Sequence, residues 1–382
     1  MPLPKPDAVA LTHSNKLKSL IKQRINSDGP LTFAAYMQMA LYEPGYGYYV
    51  AGSVKFGEQG DFVTAPEISP LFSQCLARQC QQVLTTINGG DVLELAAGSG
   101  VMALEILREL QRLNCLPDHY YILDISADLK QRQQALLQKE LPELFSRVVW
   151  LDTWPKEKMK GVVLANELLD AMPVNIFEFS DSLQEMMVDC VDDELVLVSR
   201  QTNNDELVEA VAELECDFSQ GYRSEINLSL DGWMKGLSEC LEQGLVLLID
   251  YGFPQHEFYH PQRSMGTVMC HFQHYAHEDP LLYPGIQDIT AHVDFTAVAK
   301  AAFDQGFDIL GYCNQASFLL GCGIDTLKRE QEDIALAYDY AQQIKKLMMP
   351  SEMGELFKVI ALGKQINIKL IGFTVMNHLD RL

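Results

Sequence analysis

No stretch of this sequence is apolar for the ~18 residues that a membrane-spanning helix needs, and Met1 to Ala10 carries prolines and an aspartate where an export signal needs an unbroken apolar core. Neither membrane insertion nor export is expected; the chain reads as cytoplasmic. Basic residues are scarce, with 29 Lys and Arg against 52 Asp and Glu, a formal net charge of -23. A surface of that sign repels a phosphate backbone, so nucleic acid is not expected as a partner, whereas a basic protein or a small cationic group fits. No C-x-x-C pair occurs among the nine scattered cysteines, and their number is odd. Reduced, packed thiols follow, rather than a disulfide framework or a structural zinc site. Low-complexity tracts and internal repeats are also missing. What remains is 382 residues of ordinary globular composition, 48% hydrophobic, enough for a sizeable core.

Residues 1–88 read as a helical amino-terminal region. It has an amphipathic stretch over Lys16 to Ile25, an aromatic-rich segment over Leu31 to Val50 broken by Pro44, Gly45 and Gly47, and a loop from Gly60 to Glu67 that leads into a helix near Pro70 to Thr85. From residue 89 to 173 short apolar strands alternate with helices. Asp91 to Leu95, Tyr120 to Leu123, Arg147 to Trp150 and Val162 to Ala165 are the strands, and Val101 to Leu113 and Ala127 to Glu140 are helices between them. That rhythm predicts a parallel sheet covered on both faces, an α/β fold. Residues 174–243 break it with an alternating antiparallel meander up to about Ser199 and helical material over 205–243, a candidate for substrate recognition. The sheet resumes over 244–382 with Gly244 to Asp250, the helix Phe295 to Asp304, a strand near Phe307 to Tyr312, a helix over Asp325 to Leu347 and a last strand at Lys369 to Val375.

The chemistry concentrates at Glu94-Leu-Ala-Ala-Gly98-Ser99-Gly100, on a strand-to-helix turn. Glycines there let backbone approach a ligand, and a helix amino terminus presents free N–H groups. Gly98 to Ala103 also satisfies the G-x-G-x-x-G/A dinucleotide pattern, with Asp124 downstream at a suitable distance. S-adenosylmethionine (SAM), a nicotinamide cofactor and a purely structural turn all remain open on pattern alone. The acidic Glu94 three residues before the first glycine favours SAM, which carries an α-ammonium and a sulfonium but no pyrophosphate. Asp124 accepts from ribose hydroxyls in either cofactor reading.

Longer strings carry a resemblance. Leu41 to Tyr49, Gly60-Asp-Phe-Val-Thr64-Ala-Pro-Glu67, Ala165-Asn166-Glu167-Leu-Leu-Asp170-Ala-Met-Pro173, Leu248 to Gly252, Asp288 to Phe295 and Met353 to Val359 resemble the SAM-dependent methyltransferase family that includes the mitochondrial complex I assembly-factor arginine methyltransferase. The resemblance implies a class I, Rossmann-like methyltransferase with a seven-stranded sheet whose last strand is antiparallel. SAM would lie at the carboxyl ends of the strands. It also implies a protein substrate, an arginine of a respiratory complex I subunit in the mitochondrial relative. The family usually reads E-L-G-P-G-x-G at the first turn, so Ala96 and Ala97 depart from it and a differently shaped turn is expected.

Within that frame, Glu94, Gly98, Ser99, Gly100 and Asp124 are the cofactor-binding candidates, with Thr64 and Glu67 as a lid over the cofactor. Pro66 and Glu67 could equally just start a helix. Glu167, after the fourth strand, is the first candidate to handle a cationic guanidinium nucleophile, with Asn166 as its orienter and Asp170 as a further candidate; the alternative is that Asn166 and Glu167 only cap a turn. Trp150 and Asp152 either flank the adenine or belong to the core. Cys270, His271, His274 and His277 lack paired metal-site spacing, and no metal is assigned to them. Three function readings stand: a SAM-dependent methyltransferase acting on a protein side chain, a non-catalytic assembly factor that keeps the fold, and, third, an NAD-dependent oxidoreductase.

Overall fold

The computed structural model describes residues 3–52, 63–214, 216–327 and 334–382. The chain divides into two compact units, taken over their described residues: Met1–Phe62 with Leu169–Leu230 and Phe253–Asp294, and Val63–Leu168 with Asp231–Gly252 and Phe295–Leu382.

The second unit is built on a mixed sheet. Its strands are β1 (Asp91–Leu95), β2 (Tyr120–Leu123), β3 (Val148–Leu151), β4 (Met159–Asn166), β5 (Leu241–Phe253), β6 (Asp308–Asn314) and β7 (Phe357–Lys364). Their order across the sheet is β3-β2-β1-β4-β5-β7-β6. β1 to β5 run parallel, and β7 is antiparallel to both β5 and β6. The α/β expectation holds. Seven strands lie on this path. Buried Val92, Val162, Leu164, Leu245, Leu247, Val359 and Ala361 form its core with helix residues such as Leu76, Ile106, Leu107 and Leu137. Continuous apolar strands are what a sheet covered on both faces requires.

The order places β2 and β4 on opposite sides of β1, so chain direction across the sheet reverses at the β1 carboxyl end. That reversal opens a crevice where ligands of doubly wound sheets bind. The strands' register brings Leu95 beside Ala165 and Asn166 beside Ile249. The carboxyl ends of β1, β4 and β5 thus share one edge.

Three expectations in the second half of the chain need correction. The last strand is Phe357–Lys364 and not Lys369 to Val375. Ile371–Phe373 is instead a 3-10 turn, whose Ile371 and Gly372 N–H groups donate to Gln82 and Gln79 at 3.1 Å each. The helix expected from Asp325 begins, among described residues, as a 3-10 turn at Ile324–Thr326 and runs as an α-helix over Ile334–Met348; 328–333 lie outside the described residues. Finally, 205–243 is not wholly helical, because the strand Tyr222–Ile226 separates the helices Asp205–Glu213 and Leu230–Cys240.

In the first unit, Asp7 caps the helix Ala8–Asp28 by accepting from the N–H groups of Val9 and Ala10 at 2.9 and 2.8 Å. The meander is present as Asn175–Phe179, Leu183–Val191 and Glu194–Gln201, joined by Leu31–Thr32 and Tyr222–Ile226 in one antiparallel sheet. Leu17, Ile21, Phe33, Met37, Ile176, Val188 and Ile289 pack its core. Residues 254–292 hold a second small sheet, Tyr275–His277, Met269–Phe272 and Asp288–Thr290. Cys270 is buried there as a strand residue. Among the described residues no group of three or more His, Cys, Asp or Glu is arranged to hold a metal ion.

Candidate functional site

Glu94 points from β1 into the interior and is fully buried. The Tyr120 hydroxyl donates to its Oε2 at 2.5 Å, while Oε1 has no hydrogen-bond partner. Burial pushes the Glu94 carboxyl up to about 8; the Tyr120 hydrogen bond pulls it the other way, and the nearby Asp124 charge adds to the rise. The Tyr120 phenol is itself raised well above its ordinary range, first by burial and then by Glu94.

Beyond Leu95 the chain makes a turn with three left-handed residues, Ala96 at φ 54°, Gly98 at 55° and Gly100 at 86°. Ala96 therefore takes the left-handed conformation that a glycine adopts without strain. The alanine costs strain instead, about 1–2 kcal/mol for a Cβ in that region. Gly100 caps the helix Val101–Arg112 without a side chain of its own, and the Val101 N–H donates to Ser99 Oγ at 3.4 Å.

Ser99 donates from its hydroxyl to the Glu67 carboxylate. Glu67 belongs to the four-residue helix Ala65–Ile68, which Thr64 precedes at the N-cap without a side-chain hydrogen bond. Glu67 thus both starts a helix and reaches the glycine turn. Residues 60–62 of the loop from Gly60 to Glu67 lie outside the described residues.

Asp124, at the end of β2, is buried; its Oδ1 accepts from the Ser126 N–H at 2.9 Å and its Oδ2 from the Gln133 amide at 3.0 Å. Ile125 beside it is 65% exposed, an apolar side chain left in solvent next to the carboxylate. Trp150 is half-buried and donates to Gln133 at 3.0 Å. Asp152 is an exposed partner of Lys130.

At the end of β4, Asn166 donates from its amide to the Glu167 carboxylate at 3.2 Å, and Asn166 Oδ1 is buried without a hydrogen-bond partner. Glu167 sits at φ 52°, held by its N–H donating to the Ile249 carbonyl at 2.9 Å. The next N–H, of Leu168, donates to the buried Asp250 at 3.1 Å. A glutamate in left-handed backbone at a strand end is a costly conformation that neighbouring structure must enforce, and such residues concentrate at working sites. Asp170 belongs to the first unit. There its carbonyl accepts from the Ala291 N–H at 2.9 Å. With Asp288, and after burial, its charge raises the phenols of Tyr42 and Tyr49, whose rings stack at 5.6 Å.

Within the second unit, then, Glu94, Gly98, Ser99, Gly100 and Glu67 converge on one turn, Asp124 follows on the adjacent strand, and Asn166 and Glu167 lie on the strand at the other side. Tyr120, Gln133 and Asp250 were not singled out by sequence. Asp250 lay inside a resembling string, whereas Tyr120 and Gln133 carried no signal beyond ordinary strand and helix composition.

These features suit SAM. The turn gives close backbone approach, Asp124 supplies a carboxylate, and Glu94 is an acidic group with one unsatisfied oxygen for which a cationic ligand is the natural complement. A family described as "Putative S-adenosyl-L-methionine-dependent methyltransferase" matches residues 75–313. A protein from Burkholderia thailandensis, described as a "likely methyl transferase" and solved with bound S-adenosyl-homocysteine, is 41% identical and superposes with a TM-score of 0.94 over 100% of both chains. The human mitochondrial protein arginine methyltransferase NDUFAF7 is 29% identical over 89% of this chain and 81% of its own. The zebrafish protein of that name is 26% identical over 89% of this chain and 86% of its own. The chain belongs to this family of SAM-dependent methyltransferases, and SAM is its cofactor.

Proposed function

We propose that this methyltransferase modifies an arginine side chain of a protein, with a respiratory complex I subunit as the substrate the family resemblance favours. SAM supplies a methyl group already activated on its sulfonium. In this reading the turn Gly98-Ser99-Gly100 and Asp124 hold the cofactor, Glu94 provides negative charge beneath its ammonium end, and Thr64 and Glu67 close over it. Glu167 then holds the guanidinium in line with the methyl group and accepts its proton, and Asn166 orients Glu167.

The observation that carries the proposal is Glu167 itself, kept in left-handed backbone at the end of β4 with its carboxylate engaged by Asn166. The net charge of -23 and the names of the mitochondrial relatives support a basic protein target. We place the activity in a reducing cytoplasm, where nine free cysteines stay as thiols.

The test is single-turnover methylation beside SAM calorimetry for Glu167→Gln. Losing one charge-assisted contact of about 1.5–3 kcal/mol lowers transfer about ten- to a hundredfold, with much less change in SAM affinity. Transfer at the wild-type rate would reduce Glu167 to a cap. Parallel loss of SAM binding would assign it to the cofactor. A second reading, an assembly factor that binds SAM without transferring methyl, draws on the departure at Ala96 and Ala97. It requires undiminished SAM binding with no labelled product.

A further inference from the structure

The helix Ala127–Glu140 carries four glutamines, of which Gln131, Gln134 and Gln138 are exposed and Gln133 is completely buried. Burying an amide is unfavourable unless every polar atom finds a partner. Gln133 Nε2 donates to the Gly98 carbonyl at 2.9 Å and to Asp124 Oδ2 at 3.0 Å, and its Oε1 accepts from the Trp150 indole at 3.0 Å.

The orientation of this amide has no alternative. An indole N–H only donates, and a carbonyl and a carboxylate only accept. Turning the amide over would set N–H against N–H and oxygen against two oxygens. Packing fixes the side chain as well, since a Cβ on Gly100 would lie 3.1 Å from Gln133 Cγ and 3.3 Å from its Cα. One side chain therefore ties the glycine turn after β1, the carboxylate after β2 and the tryptophan of β3.

We propose that Gln133 is a positioning residue of the cofactor site, holding the Asp124 carboxylate and the Gly98 carbonyl at a fixed spacing so that Asp124 meets the ribose hydroxyls already oriented. Trp150 acts one step behind it, as the group that sets the Gln133 amide. This rests on the reading of Asp124 as the ribose acceptor.

The experiment compares S-adenosylhomocysteine with its 2′,3′-dideoxy analogue by calorimetry on wild type, Gln133→Met, Trp150→Phe and Asp124→Ala. Gln133→Met keeps length and apolar packing but removes the amide. Its affinity for S-adenosylhomocysteine should fall about ten- to a hundredfold. Affinity for the dideoxy analogue should change little, so the preference for the ribose hydroxyls shrinks. Trp150→Phe should move that preference the same way by a smaller factor, which keeps the test open if Gln133→Met fails to fold. A purely structural Gln133 would weaken both ligands equally and leave the preference intact; that result, with the preference lost in Asp124→Ala, overturns the proposal alone. A preference unchanged in Asp124→Ala would remove the ribose reading and the proposal with it.

Discussion

Replacing Glu94 by glutamine should change how the ligand-free protein responds to pH more than it changes its packing. The native carboxyl is pushed up to about 8 from an ordinary 4.5, chiefly by burial. As pH rises past 4.5 the unfolded chain gives up this proton while the native state retains it. Stability must then fall with rising pH until about 8, where the native group ionises too. At ~1.36 kcal/mol per pH unit, that window corresponds to a loss on the order of 5 kcal/mol between its two ends. Glu94→Gln keeps the shape, leaves an oxygen to accept from Tyr120, and has nothing to titrate. Urea unfolding of both proteins at several pH values between 5 and 9 should show wild type losing stability relative to the variant as pH rises. Tyr120→Phe, which removes a hydrogen bond that favours the ionised form, should extend that loss to higher pH. SAM brings a cation and favours ionised Glu94, so wild type should release a proton on binding below pH 8 and bind more tightly as pH rises toward it. Curves that stay parallel for wild type and Glu94→Gln across the window would refute the argument.

Two further perturbations test the turn. Ala96→Gly relieves about 1–2 kcal/mol of left-handed strain at φ 54° against about 0.4–1 kcal/mol of added chain entropy in the unfolded state, so the urea midpoint should rise slightly; a lower midpoint would show that the alanine is not strained. Gly98→Ala places a Cβ at φ 55°, where Ala96 shows that the backbone tolerates one, so circular dichroism should stay native while SAM affinity falls at least about tenfold through lost backbone approach. Unchanged affinity would remove Gly98 from the cofactor site.

Much of the main sheet was legible because its strands are short apolar runs punctuated by turn residues, as at Asp91–Leu95 before Gly98 and Gly100. The meander was legible from alternation. The last strand was misplaced because two nearby runs, Phe357–Lys364 and Ile371-Gly-Phe373, have similar composition, and periodicity cannot say which one finds a sheet edge. Tertiary contacts decide: a Cβ on Gly372 would lie 2.3 Å from the Phe318 ring, so this segment is packed flat against a helix. In the site, Glu94, Gly98, Gly100, Asp124, Asn166 and Glu167 stood at strand ends, where sequence position already implies placement. Tyr120 and Gln133 did not. Tyr120 meets Glu94 only through the parallel register of β1 and β2, and Gln133 resembles its three exposed neighbours until the helix is rotated into place. Asp170 was grouped with Glu167 by sequence proximity, yet it belongs to the other compact unit.

The proposed methyl transfer to a protein arginine is tested by incubating the purified protein with methyl-labelled SAM and an extract from cells lacking it. The expected result is label on a protein, mapping by mass spectrometry to arginine, resistant to nuclease and strongly reduced with Glu167→Gln. Label that survives protease and disappears with nuclease would contradict it, as would label on a residue other than arginine.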